Sequence, residues 1–433
     1  MTLDLAKLTD TLAGIDTVPG VGRIRSVVGL AIEADLPGIR LGELCEIERR
    51  NAPPLLAEVV GFRDQAATLL PLGRADGLGP DDLVRSAEER LAVTFGPGLL
   101  GRVLDGLGQP LDGGPKLEGE RREVMASAPN ALSRPRVQQR LTTGVRVLDA
   151  FVALAEGQRI GLFAGSGVGK SSLLGQIARQ ADADVFVACL VGERGRELNE
   201  FLEDALGERG RQRGVVVCAS SDSPALVRMK SPYVATAIAE GFRDQGKRVL
   251  LLMDSVTRFA RAARDVGLAA GEAPARRGFP PSVFAALPAL VERAGTAPTG
   301  SITAVYTVLV EGDDLDEPIA DELRGVLDGH IVLSRELASR GHYPAVDVTK
   351  SLSRLMERVT DPAVRAAASA VRAHLAVYEQ KRDLIALGAY SPGSDRKLDS
   401  AVERMERIEA FLRQDARELC PLPQTLAALA QLV

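Results

Sequence analysis

The chain has 433 residues, 45% of them hydrophobic and 26% charged, with a formal net charge of −5 at pH 7. That length exceeds what one hydrophobic core organises, so two or three domains are expected, and the composition excludes a disordered chain. The negative balance argues against nucleic-acid binding by bulk positive potential, and a chain with no Trp, five Tyr and eleven Phe offers few platforms for stacking single strands.

Leu5, Leu8, Leu12 and Ile15 recur at helical spacing before a turn at Pro19-Gly20. They predict a short amphipathic helix that docks a partner or caps its own domain. No basic-then-apolar leader precedes it, and no apolar run approaches the ~18 residues that span a bilayer. A cytoplasmic protein is expected, with peripheral attachment to the inner face of a membrane complex left open. Residues 20–90 read as short β runs at Gly22–Val28, Leu44–Ile47, Leu55–Gly61 and Thr68–Pro71, the pattern of a small β-barrel. Pro80-Asp81-Asp82 and Gly96-Pro97-Gly98 punctuate a linker.

From about residue 157 apolar strands alternate with helices. The strands are expected at Arg159–Ala164, Val185–Val191, Gly214–Ala219, Arg248–Met253, Ser301–Val310 and His330–Ser334. The helices fall at Ser171–Gln180, Arg196–Ala205, Tyr233–Gln245 and Val256–Ala270. Continuous apolar strands separated by helices predict a mostly parallel sheet covered on both faces. Beyond residue 360 helical patterns dominate, broken at Ser391-Pro392-Gly393. The expected layout is a β-barrel over 1–92, an α/β domain over 93–358 and a helical domain over 359–433. Cys45, Cys189, Cys218 and Cys420 have no metal-ligand spacing, nor do His330, His342 and His374, and buried thiols are expected.

Ala164-Gly165-Ser166-Gly167-Val168-Gly169-Lys170-Ser171-Ser172 follows a strand and opens a helix, which makes a P-loop. Its glycines let backbone N–H groups converge on phosphates, and the helix N-terminus adds its positive end. Lys170 can reach the phosphate oxygens and the Ser171 hydroxyl can ligate Mg²⁺. Ala164 stands where the pattern usually has Gly; it ends the strand before the loop turns, so a small residue serves. Hydrolysis also needs a group to orient water. Two strands end in acids at the edge where parallel sheets bind ligands. Asp254 closes an apolar strand and would hold the Mg²⁺ hydration shell, the plainer alternative being a helix cap. Glu193 comes first off the other strand and is the candidate base; Glu197 and Glu200 read as partners for arginines.

At Gly192-Glu193-Arg194-Gly195-Arg196-Glu197 the chain resembles the hexameric type III protein-export ATPases of flagella and injectisomes, which are themselves similar to the catalytic subunits of rotary F- and V-type ATPases. The likeness spans nearly the whole chain. It is densest at Gly101–Gly108, the P-loop, Asp254–Arg258, Gly278–Phe284, Thr307–Asp314, Asp328–Ser334 and Gly341–Asp347. It implies a RecA-like core, Mg-dependent ATP hydrolysis and export of protein cargo. By position it makes Glu193 the water-activating acid and sets Arg194 and Arg258 near the γ-phosphate. It also makes Tyr343 the residue that stacks on adenine and Arg354 an arginine finger for a neighbouring subunit. The loop Gly271–Pro280 matches one facing a central channel. The Phe411 region does not align cleanly with the aromatics that complete the adenine pocket in rotary enzymes. The implied partners are copies of the chain in a homohexamer, a stator-like regulator, a coiled-coil stalk, export-gate membrane proteins and cargo–chaperone complexes. No nucleic acid is expected. Leu384–Tyr390 and the P-loop look more like the flagellar branch. The competing readings are a rotary ATP synthase subunit and a hexameric RNA translocase with a RecA-like core.

Overall fold

The computed structural model describes residues 20–310, 314 and 316–433; the helix expected around Leu5–Ile15 and the 311–313 stretch of the Thr307–Asp314 run lie outside them. Six antiparallel strands, Val21–Val28, Ala31–Asp35, Glu43–Arg49, Ala52–Arg63, Ala66–Pro71 and Leu83–Arg90, close into a barrel. Ile24, Ile32, Cys45, Ile47, Val59, Leu69 and Val84 fill it. The sequence reading misses Ala31–Asp35 and Leu83–Arg90. The latter carries four charged residues and buries only Val84, so it reads as a linker. It becomes a strand because both its edges find partners, in Val21–Arg23 and in Glu43–Ile47. Tertiary pairing overrides its weak β propensity.

The barrel rests on the α/β domain through an ion pair with little access to water. Lys230 Nζ lies 2.6 Å from Glu58 Oε1, and the two side chains are 7% and 6% exposed. Burial raises the Glu58 pKa above its ordinary value, with the Lys230 charge opposing.

The α/β sheet runs, edge to edge, Leu352–Ser353, Gly329–Val332, Arg159–Ala164, Ser301–Leu309, Arg248–Asp254, Val185–Glu193, Gly214–Ser220, Val103–Asp105. All neighbours are parallel except the antiparallel edge Leu352–Ser353. The parallel strands are buried almost without interruption, which explains why they read as apolar runs rather than alternating ones. Two helices differ from expectation. Ala225–Asp244 starts well before Tyr233, because Pro232 is accommodated inside the helix, where the Thr236 hydroxyl donates to the Pro232 carbonyl at 2.7 Å. The stretch expected as Arg196–Ala205 is an α-helix only over Gly195–Glu200 and widens to a π-turn over Phe201–Leu206. Helices Pro362–Ala386, Arg396–Leu412 and Leu422–Ala430 form the C-terminal layer. All four cysteines are free and buried.

Candidate active site: a phosphate cradle beside a buried acid pair

The strand Arg159–Ala164 ends in the glycine loop, and helix Lys170–Gln180 begins at Gly169, whose φ of 89° is the left-handed conformation that glycine adopts at little cost. No side chain caps this helix, so its first N–H groups stay available to an external acceptor. Gly167 is also left-handed. Val168 buries its side chain in the core, which leaves its backbone as its contribution to the loop. Gly165, Ser166, Gly167, Gly169, Lys170, Ser171 and Ser172 line a cleft of about 510 Å³ with Glu193, Glu197 and Arg258.

The acids arrive from neighbouring strands of the same sheet. Lys170 Nζ pairs with Asp254 Oδ1 and lies 3.8 Å from Glu193 Oε1. The Thr307 hydroxyl donates to Asp254 Oδ1 at 2.8 Å. Ser255 rather than Asp254 caps the following helix: its side chain accepts the Arg258 N–H at 3.3 Å. The plain capping reading of Asp254 therefore fails, and its carboxylate is left for the cleft. Arg258 sits 3.0 Å from Glu193 Oε2 and also donates to the Gly192 carbonyl.

Glu193 is 7% exposed. Its pKa is raised to about 7, first by burial, then by a hydrogen bond shared with Glu197, then by the Asp254 charge, while Lys170 and Arg258 pull the other way. Glu197 falls below its ordinary value, chiefly through that same hydrogen bond. Burial and the neighbouring carboxylates thus favour the neutral form of Glu193, a carboxyl poised near neutrality.

Three expected site residues stand apart from this group. Arg194 points outward, its side chain 76% exposed and 3.6 Å from Glu197. Tyr343 is half-exposed and lies across the phosphate loop; a Cβ on Gly169 would sit 3.2 Å from its Cε1. Arg354 is exposed beyond the outer edge of the sheet, held by its N–H to the Asp328 carbonyl at 3.0 Å and by its guanidinium to the Arg324 carbonyl at 3.2 Å. It does not line its own chain's cleft. Phe411, which sequence left undecided, is buried against Phe151, with the Arg146 guanidinium 5.7 Å from its ring centre. It belongs to the packing between core and helical layer.

Sequence reasoning missed Arg261 and Arg335, which line the same cleft. Neither stands in a motif; only the fold brings them there. A larger recess of about 810 Å³ between barrel and linker residues, including Arg40, Glu43, Glu89 and Arg121, holds no comparable cradle.

The oxygen donors fit a hard divalent cation. A serine hydroxyl at the helix start and buried carboxylates across the cleft are the set that Mg²⁺ takes while keeping several waters. Among the described residues no cluster of His, Cys, Asp and Glu forms a separate metal site, and no helix is long and apolar enough to cross a membrane.

Residues 144–353 match the family model of the ATP synthase alpha/beta nucleotide-binding domain, and residues 360–431 match that of the T3SS EscN ATPase C-terminal domain. The chain is 47% identical to the flagellum-specific ATP synthase of Bacillus subtilis over 428 residues, 98% of each chain. It is 48% identical to the type 3 secretion system ATPase of Pseudomonas syringae pv. syringae, over 95% of this chain and 93% of that one. Among solved structures it resembles the assembled ATPase EscN of the enteropathogenic E. coli type III secretion system, with TM-score 0.90 and 44% identity over 95% of this chain and 99% of that one. A second structure of EscN, in complex with its central stalk EscO, superposes with TM-score 0.87 at 44% identity, with the same coverage.

Proposed function

This chain belongs to the family of type III protein-export ATPases, and from that premise we propose how its own residues bind Mg·ATP and release the γ-phosphate. It is an ATPase whose hydrolysis serves type III export; relatives of both the flagellar and the secretion branch match it along nearly its whole length. Identity does not separate the two branches, because both stand close to 48%. The C-terminal match to the EscN domain favours export over a rotary synthase, and the full-length relatives favour it over an RNA translocase.

The observation that carries the mechanism is the convergence of Lys170, Glu193, Asp254 and Arg258 at the mouth of an uncapped helix. The N–H groups of residues 165–171 and the Lys170 ammonium bind the β- and γ-phosphates, and Arg258 adds positive charge beside Glu193. Ser171 would hold Mg²⁺ directly and Asp254 would hold it through water. An ion held there would offset part of the negative charge of the phosphates. Glu193 orients the attacking water and accepts its proton, a role suited to a carboxyl whose pKa lies near 7. Tyr343 offers its exposed ring to the adenine. Arg194, exposed and 3.6 Å from Glu197, is read from the family likeness as a further positive charge near the γ-phosphate.

Arg354 acts on the adjoining protomer's nucleotide. Its exposed place at the sheet edge, away from its own chain's cleft, supports that reading. One chain then carries cradle, base and finger, so identical copies can build six equivalent interfaces in a homohexamer. The assembled state of EscN supports the ring, and its complex with EscO supports a central stalk as partner. By the same family reasoning the ring works in the cytoplasm at the inner face of the export apparatus, with a stator-like regulator, export-gate membrane proteins and cargo–chaperone complexes. The decisive experiment compares turnover and ATP binding of the assembled protein with those of Glu193→Gln. Binding with turnover reduced at least ~100-fold supports the assignment, and undiminished phosphate release removes it.

A further inference from the structure

The segment joining the last two helices, residues 413–418, is bonded to both halves of the nucleotide site. On the adenine side the Gln414 N–H donates to the Tyr343 carbonyl at 2.9 Å. Arg413 Nε donates to Nδ1 of the buried His342 at 3.4 Å. On the phosphate side the far end of the cradle helix reaches the same segment: Arg179 donates to the Ala416 carbonyl at 2.7 Å, and the Gln180 amide donates to the Glu418 carbonyl at 2.9 Å. Between these anchors Gln414 is only 5% exposed, and its amide is fully used. Its Oε1 accepts the Arg146 N–H at 2.7 Å, and its Nε2 donates to the Gly144 and Glu418 carbonyls, each at 2.9 Å. A buried amide with every partner in place fixes the backbone that carries it.

We propose that Gln414 is a positioning residue that sets the distance between the adenine platform and the phosphate cradle, so that the helical domain governs recognition of the base. The inference rests on Tyr343 being the adenine platform. The Tyr343 ring already lies against Gly169 at the cradle, and its main chain is tied to Gln414. A shift of this segment therefore moves the ring relative to the phosphate loop. A ligand that bears a base feels that shift; inorganic tripolyphosphate, which occupies the cradle alone, does not.

The test measures the KM for ATP and the inhibition constant of magnesium tripolyphosphate on the full-length assembled protein and on Gln414→Met, which keeps the volume and removes the hydrogen bonds. The expected result is a KM for ATP raised about fivefold to tenfold, with kcat within about twofold of the parent and tripolyphosphate inhibition unchanged. General loosening of the fold would weaken both ligands or lower kcat, and either outcome overturns the proposal. Tyr343→Ala run in the same assay separates the two readings. If it leaves the ATP-to-tripolyphosphate ratio unmoved, the adenine role of Tyr343 falls and this inference with it. If Tyr343→Ala moves the ratio and Gln414→Met does not, only the inference falls. When both move it, the double variant should lose no more than Tyr343→Ala alone, because both changes act on one contact. Should Gln414→Met fail to fold, Gln414→Asn carries the test: it keeps a polar amide but shortens the side chain and withdraws it from Arg146, Gly144 and Glu418, and a smaller shift of the same sign is expected. An unchanged ratio in that variant overturns the proposal.

Discussion

Glu193 must be charged to accept a proton, yet its surroundings favour the neutral form. With its pKa near 7, the carboxyl holds its proton below neutrality and turnover should fall on the acid side. A plot of kcat/KM against pH is expected to show an acid limb near pH 7. Because the hydrogen bond to Glu197 stabilises the protonated form, Glu197→Ala should move that limb to lower pH. A limb that stays in place would assign it to another group. Lys170 holds Asp254 and approaches Glu193, so it anchors both acids while neutralising part of their charge. Replacing it with Met should weaken ATP binding and leave carboxylates crowded without their counter-charge.

At the scale of single elements, the junction between the phosphate loop and its helix is the most constrained. Gly169 is left-handed, and any side chain there would press on Tyr343. Gly169→Ala combines backbone strain of ~1–2 kcal/mol with that contact, so ATP affinity should fall by roughly tenfold in a binding titration. Most of this was legible beforehand. The loop, the cradle helix and the two acid-bearing strands declare themselves because each residue type there has one conformational or chemical use. The six strands expected for the sheet fall within two residues of their observed ends. The barrel strand Leu83–Arg90 escaped because its charged face carries no apolar alternation, and closure of the barrel supplies its reason to exist. The π-turn at Phe201–Leu206 leaves no sequence signal, since Leu202, Ala205 and Leu206 keep helical character whichever way the backbone winds. Arg335 and Gln414 were equally silent: long-range folding alone brings Arg335 to the cleft and Gln414 to the backbone at Gly144 and Arg146.

Across the molecule, the Glu58–Lys230 pair joins two domains where water is nearly absent. Removing one partner of such a pair costs about 3–5 kcal/mol, so Lys230→Met should lower the thermal midpoint markedly. Burial already raises the Glu58 pKa, and losing Lys230 raises it further. A carboxyl whose folded pKa exceeds its unfolded one stabilises the fold least at high pH. The deficit of Lys230→Met should therefore grow as pH rises above the ordinary glutamate value of 4.5, which denaturation at pH 5 and pH 8 will measure. Assembly has its own test. Arg354→Ala and Glu193→Gln should each be nearly inactive alone, yet mixing them in equal amounts should restore activity at roughly a quarter of the interfaces, those pairing an intact acid with an intact finger. No recovery on mixing would mean that the finger does not cross between copies.

The closed barrel bears on how such copies come together. Its first strand pairs with the second and with the sixth, so no row of backbone donors and acceptors is left open at a seam. Barrels standing side by side can touch only through their outward residues, and separating them breaks no main-chain ladder. A barrel can therefore part from its neighbours with its own strand pairing whole.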